Sequence, residues 1–292
     1  MKTLLCFGLS YTAQHYLAAY GTRFEQVWGT VRDQNRAAGL NVRAKGNMRA
    51  LTFDGTSVSD DLQEAVAKAE AILVSIPPDE RGDPVLAVCG SLLAGTRQIR
   101  TIVYLSTIGV YGNYDGAWID ENSDCRPSEE RSRRRLAAEH GWQSLSARSG
   151  LPVAILRLPG IYGPGRNALK SLRHGTAKRI VKTGQVFNRI HVADIAQAIN
   201  AAFDRRANGI FNIADDEPSP PGDPIVYAAK LLGLEPPPEI SFDQARSSMS
   251  AMAASFYLDV KRVSNVKLKT VLGVKLHYPT YREGLSALIE SG

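Results

Sequence analysis

Leu4-Leu5-Cys6-Phe7-Gly8-Leu9-Ser10-Tyr11-Thr12-Ala13 is a short apolar run that meets a glycine and then a helical pattern. Residues 4–7 read as a strand and Gly8 to Ser10 as a tight turn. The stretch to Tyr20 reads as a helix with Ala13, Tyr16, Leu17 and Tyr20 on one face. A glycine after the strand reverses the chain without a Cβ clash, and the helix aims free N–H groups and its positive dipole end at an anion. The anion expected here is a pyrophosphate. The turn is an imperfect copy of the dinucleotide fingerprint G-x-G-x-x-G/A, with Gly8 first, Ser10 in place of the second glycine and Ala13 third. A strand-to-helix turn without a ligand is the plainer reading of this motif alone; its place at the head of an alternating strand and helix pattern favours the cofactor. Gly8, Leu9, Ser10, Tyr11 and Thr12 are therefore candidate cofactor contacts.

Further along, residues 24–31, 49–53, 71–76 and 101–105 read as strands, and 60–69 and 84–93 as helices. Short connections and right-handed crossovers then give a doubly wound parallel α/β sheet of Rossmann type. The second strand ends in Thr30-Val31-Arg32 rather than in an acid that would hold a ribose 2′-hydroxyl. The planar fork of Arg32, with Arg36 four residues on, suits the 2′-phosphate of NADP, which is favoured over NAD; the plain alternative is that Arg32 merely begins a solvated helix. Asp54-Gly55 reads as a turn. Ligands of such sheets sit beyond the carboxyl ends of the strands, which adds Ser75, Ile76 and Pro77 to the cofactor contacts.

With 292 residues and 44% hydrophobic content the chain can bury a full core, divided in this reading between two lobes. Residues 1–165 and 187–213 form the nucleotide-binding domain, and 166–186 and 214–292 a smaller substrate lobe. Three cysteines, Cys6, Cys89 and Cys125, lack a C-x-x-C pairing and fit a reduced cytoplasm. No apolar run approaches the ~18 to 20 residues of a membrane span, and the N-terminus enters a strand rather than a signal-peptide core. A cytoplasmic protein without a membrane partner is expected. The net charge of +6 is a modest bias towards anionic small molecules. The basic run Arg131 to Arg135 has no interleaved aromatics, so no nucleic-acid partner is expected, and its simplest reading is a solvated helix face. Asp215-Asp216-Glu217 has no His or Cys beside it, so no metal is expected.

Three further segments carry a family resemblance: Ser106-Thr107-Ile108-Gly109-Val110-Tyr111-Gly112, Arg157 to Arg166 with its Tyr162-Gly163-Pro164, and Arg189-Ile190-His191-Val192-Ala193-Asp194. In this order they resemble the extended short-chain dehydrogenase/reductase superfamily, which includes sugar-nucleotide epimerases and dehydratases. The resemblance covers nearly the whole chain. It implies Ser106, Arg135 and Pro159 as cofactor contacts, Thr107 as the hydroxyl that orients a substrate oxygen, and a Tyr and a Lys four residues apart on a helix. The phenol would transfer a proton while the Lys holds the nicotinamide ribose.

That pair is missing. Aligning on Leu136-Ala137-Ala138-Glu139 puts Arg131 at the Tyr position and Arg135 at the Lys position, and no Tyr lies between residues 122 and 155. A guanidinium stays protonated and cannot replace the phenol. Tyr111, Tyr114 and Tyr162 are phenols on nearby loops, with Tyr162 the catalytic candidate beside Thr107. His191 has an ordinary pKa of about 6.5 that suits acid–base work. A packed phenol and a hydrogen-bonded structural imidazole are the plain readings of Tyr162 and His191. Arg166 and Arg189 are candidate anchors for an anionic substrate, with Tyr111 and His191 beside them. Met249, Met252, Phe256 and Tyr257 are at helical spacing and read as core. Helices around Leu86 and Leu136 are the candidate contact of a homodimer, as in related folds. The expectation is an atypical NADP-binding oxidoreductase or epimerase-like enzyme with a small-molecule substrate and a displaced proton donor. The alternative is an NADP(H) sensor or scaffold without catalysis.

Overall fold

The computed structural model describes residues 1–43 and 46–290. Seven parallel strands form the central sheet: β1 Thr3–Phe7, β2 Gln26–Val31, β3 Met48–Thr52, β4 Ala71–Val74, β5 Thr101–Thr107, β6 Val153–Leu158 and β7 Gly209–Asn212. Their order is β7-β6-β5-β4-β1-β2-β3. Leu4 pairs with Val27 on one side and with Ala71 on the other, so the chain starts in mid-sheet, winds outward to β3 and returns to β4. The direction of winding reverses between β1 and β4, which is where a doubly wound sheet opens a ligand crevice.

The inner strands β1, β2, β4, β5 and β6 are buried on both faces, the edge strands β3 and β7 only in part, and side-chain alternation sorts them into two apolar layers. Leu4 and Cys6 face α1 Tyr11–Tyr20, α2 Gln34–Arg43 and the later helix Val192–Arg205, meeting Ala13, Tyr16, Ala37, Ile195, Ile199 and Phe203. Leu5 and Phe7 face α3 Asp60–Lys68, α4 Pro84–Gly95 and α5 Glu130–Ser149, meeting Leu62, Val66, Val85, Cys89, Trp142 and Leu145. Three layers result: helices, sheet, helices.

Strand ends differ from the sequence reading for local reasons. Gly21–Arg23 forms a 3-10 turn, so β2 begins at Gln26. β4 stops at Val74, ahead of Pro77-Pro78, which have no N–H for a ladder. β5 continues to Thr107 and delivers that residue to the sheet edge. Beyond the sheet, the strand pairs Gly160–Tyr162 with Arg189–His191 and Arg179–Val181 with Glu239–Ser241, and the helices Asp223–Leu231 and Tyr281–Glu290, build over the carboxyl ends. Met252 and Phe256 do not enter the core: they are 61% and 54% exposed, because Ala251–Ser255 is a single short turn, while Tyr257 is buried and Met249 packs partly against the same cluster. Among the described residues no helix is long and apolar enough to cross a membrane, and no group of three or more His, Cys, Asp or Glu is placed to hold a metal.

Candidate cofactor and substrate site

Gly8 takes φ +90°, and a Cβ there would stand 2.9 Å from Ser75 Oγ and Ile76 Cγ1, so only glycine fits between β1 and β4. Its N–H donates to Thr30 Oγ1 (2.9 Å), and Ser75 donates through Oγ to the Gly8 carbonyl (2.8 Å). Leu9 lends the turn only its backbone. Its N–H donates to the Thr30 carbonyl (3.1 Å), and its buried side chain fills the space over Gly29, where a Cβ would lie 2.5 Å from it. Ser10 stands at the second fingerprint position as the N-cap of α1, accepting the Ala13 N–H (3.3 Å). The N–H groups of Ser10, Tyr11 and Thr12 have no partner among the described residues. Three donors at the positive end of a helix, at the point where the winding reverses, fit the diphosphate of a dinucleotide. Ile76 and Pro77 follow on the same edge, half-buried and exposed.

Arg32 and Arg36 are both exposed beyond β2, and among the described residues neither side chain has a hydrogen-bond or ion-pair partner. The nearest acid, Asp33, is engaged elsewhere: Oδ1 accepts the Arg36 N–H (2.8 Å) at the start of α2, leaving the two guanidinium groups unneutralised. Asp54 closes its turn, with Oδ1 accepting from the Thr56 N–H and hydroxyl.

At the end of β5, Thr107 caps the turn Ile108–Tyr111 by accepting the Gly109 N–H (3.1 Å). Gly109 lies against α5, where a Cβ would be 2.8 Å from Ser132 Oγ, so the start of α5 stands beside Thr107. The two arginines of the missing pair are both held by protein. Arg131 donates to Ser255 Oγ (2.9 Å) and lies 4.6 Å over the Phe256 ring. Arg135 donates to the Leu105 carbonyl and the Tyr104 hydroxyl, each at 3.0 Å. Ser106 points away from the cleft and donates to Glu139 Oε1 (2.5 Å). Pro159 is half-buried just past β6.

Beneath the cleft is a polar cluster that the sequence reading did not assign. Glu139 and Arg157 form a buried ion pair (2.6 Å), Arg157 lies 4.6 Å from the Tyr111 ring centre, and Tyr111 donates to Asn212 Oδ1 (2.8 Å). Burial pushes the Tyr111 phenol up to about 12 despite the nearby Arg157. A lone arginine inside the apolar strand 153–158 was the available signal, since a charge there requires a buried partner.

The other phenols are also engaged. Tyr114 donates to the Asp124 carbonyl (2.7 Å) and Tyr11 to the Pro164 carbonyl (3.0 Å). Tyr162 donates to the Thr280 carbonyl (3.2 Å) and is packed so closely on the last helix that a Cβ at Gly284 would overlap its hydroxyl. Burial raises its pKa far above the ordinary phenol range. His191 is 4% exposed between the Tyr162 and Tyr278 rings. Its Nδ1 accepts the Ala193 N–H (3.2 Å), its Nε2 has no partner, and burial lowers its pKa to about 4. Arg189 is held by Ser219 Oγ (2.7 Å) and the carbonyls of Phe187 and Pro220. Arg166 is exposed on the turn that rests on Tyr11, its guanidinium 6.0 Å from that ring. Asp215 is a second unassigned group: it is buried, Oδ2 has no partner, and burial raises its carboxyl to about 8.

The model of the NAD dependent epimerase/dehydratase family matches residues 85–214. The solved structure of a functionally unknown conserved protein from Silicibacter pomeroyi DSS is 42% identical with a TM-score of 0.87, covering 100% of this chain and 99% of that one. Protein YeeZ of Escherichia coli (strain K12) is 28% identical over 294 residues, 96% of this chain and 97% of that protein. A 3-diazoavenalumate denitrifying reductase of Streptomyces sp is 28% identical over 151 residues, 49% of each chain. With its sheet order, its fingerprint turn and the three segments after β5, the chain belongs to the NAD-dependent epimerase/dehydratase family, the extended short-chain dehydrogenase/reductase type.

Proposed function

We propose that the protein binds NADP(H) and reduces a small polar or anionic metabolite, the proton that accompanies the hydride coming from solvent rather than from a protein phenol. One observation carries this reading: a free donor cradle at Gly8 to Thr12 with two unpaired arginines at Arg32 and Arg36, beside a cleft where the phenols of Tyr11, Tyr111, Tyr114 and Tyr162 are each hydrogen-bonded to the protein. Bound NADPH supplies hydride. In this reading the N–H groups of Ser10 to Thr12 hold the diphosphate, the arginines pair with the 2′-phosphate, and Thr107 orients the substrate oxygen. Arg135, tied to Leu105 and Tyr104, presents its remaining donors to ribose hydroxyls at the position of the family's lysine. A relative that bears the name of a reductase supports the same class here. Three free cysteines accord with work in a reducing cytoplasm.

The test is NADPH oxidation followed by absorbance against a panel of carbonyl and other electron-poor acceptors. Turnover is expected that Thr107→Val lowers and Tyr162→Phe, stability permitting, leaves intact. Loss of turnover in a folded Tyr162→Phe protein would instead make that phenol the proton donor. The ties on Arg131 and Arg135 favour a second reading, NADP(H) bound without turnover; tight binding with no oxidation of NADPH by any acceptor would select it.

A further inference from the structure

We propose that the hollow between the Gly163–Arg166 turn and the helix Ala168–Arg173 is a binding site for a phosphate monoester, the anionic end of the substrate; this deepens the reductase reading and rests on it. The hollow measures about 340 Å³ and is walled by Arg166, Lys170 and His174 with Ser171 and Thr176, whose hydroxyls donate to the main-chain carbonyls of Asn167 and Ser171. No carboxylate lines it. Among the described residues the Lys170 and His174 side chains have no hydrogen-bond or ion-pair partner, and the Arg166 guanidinium stands 6.0 Å from the Tyr11 ring centre without an ion pair.

The frame is fixed while the cations are free. Asn167 donates through Nδ2 to the Gly163 carbonyl (2.9 Å) and accepts the Lys170 N–H at Oδ1 (2.9 Å), joining turn and helix into one unit. Residues four apart on a helical turn share a face, so Lys170 and His174 stand on the same side. Most other cations near the cleft are neutralised or hydrogen-bonded: Arg157 by Glu139, Arg282 by Glu217, Arg189 by Ser219 and main-chain carbonyls. A group of like charges around a concavity with no acid is unfavourable until an anion enters. Two permanent charges, the Arg166 fork and the Lys170 ammonium, match a dianion better than a single carboxylate.

The location suits a substrate. Tyr11, in the first turn of α1, donates to the Pro164 carbonyl and carries Arg166 over its ring, so the hollow borders the cradle assigned to the diphosphate without sharing its donors.

Calorimetric titration with inorganic phosphate, with and without saturating NADP, tests this on the wild-type protein, Arg166→Gln/Lys170→Gln and Arg32→Gln. Phosphate is expected to bind once in the presence of NADP, about tenfold or more weakly in the double variant, as loss of charged hydrogen bonds predicts, and unchanged in Arg32→Gln. Acetate should bind more weakly than phosphate. NADP affinity of the double variant should stay within about twofold of wild type, which checks its fold and the cofactor reading together. Absence of phosphate binding, equal binding by the double variant, or displacement of phosphate by NADP overturns the subsite. If NADP binds and phosphate does not, the subsite falls and the cofactor reading stands. If phosphate binds with the expected variant pattern and NADP does not, the cofactor reading falls instead.

Discussion

Glu139 and Arg157 meet at 2.6 Å with side chains 1% and 3% exposed, the Arg157 Nε also contacting both carboxylate oxygens at 3.2 Å. The pair joins α5 to β6 directly under the cleft and fixes Ser106 and Tyr111 around it. Removing one member leaves the other charged and buried. Glu139→Leu is therefore expected to lose about 3–5 kcal/mol, and Glu139→Leu/Arg157→Met less than the sum of its single changes. Urea denaturation of the four proteins in this cycle measures it; additive losses would deny the coupling.

Ser10 is both a helix cap and an obstruction. Its Oγ satisfies Ala13, so Ser10→Ala is expected to cost about 1 kcal/mol while Ser10→Gly costs only a few tenths. Ser10→Gly also restores the closest backbone approach of the fingerprint and should tighten nucleotide binding. Thermal denaturation and nucleotide titration of both variants check this; weaker binding by Ser10→Gly would give the hydroxyl a direct role on the ligand.

Gly8 has no such freedom. At φ +90°, with Ser75 and Ile76 at 2.9 Å from a would-be Cβ, Gly8→Ala is expected to lose at least about 1–2 kcal/mol from backbone strain alone and to abolish cofactor binding. An alanine variant of wild-type stability and affinity would show that the turn adopts another conformation.

His191 gives a pH signature. Its folded pKa of about 4 lies below the ordinary value near 6.5, so the native state holds the neutral imidazole. The unfolded chain binds the proton first, and this group's contribution, full above pH 6.5, is lost as pH falls towards 4. His191→Asn keeps an acceptor for the Ala193 N–H without the titration. Melting curves between pH 7 and 4 should show a smaller decline in the variant, and parallel declines would mean the imidazole is charged in the fold.

What the sequence disclosed was mostly local. Leu4 to Tyr20 could be read because strand, turn and helix are decided by neighbours, and so could the exposed position of Arg32 directly after a strand. The absence of the Tyr and Lys was equally plain. What each candidate side chain does was not, since the partners are distant in sequence: Tyr162 ends on Thr280, Arg131 on Ser255 and Tyr111 on Asn212. The apolar spacing of Met252 and Phe256 misled because a turn of five residues has no inner face to bury both.

The central claim is that the βα corner at Gly8 grips NADP(H) and that Arg32 selects its 2′-phosphate. Calorimetry with NADP, NADPH, NAD and NADH on wild type and Arg32→Asp tests it most directly. The account predicts tighter binding of the phosphate-bearing pair and, in the variant, a loss of about 1.5–3 kcal/mol confined to that pair. An equal loss for all four nucleotides, or no binding of any, would contradict it.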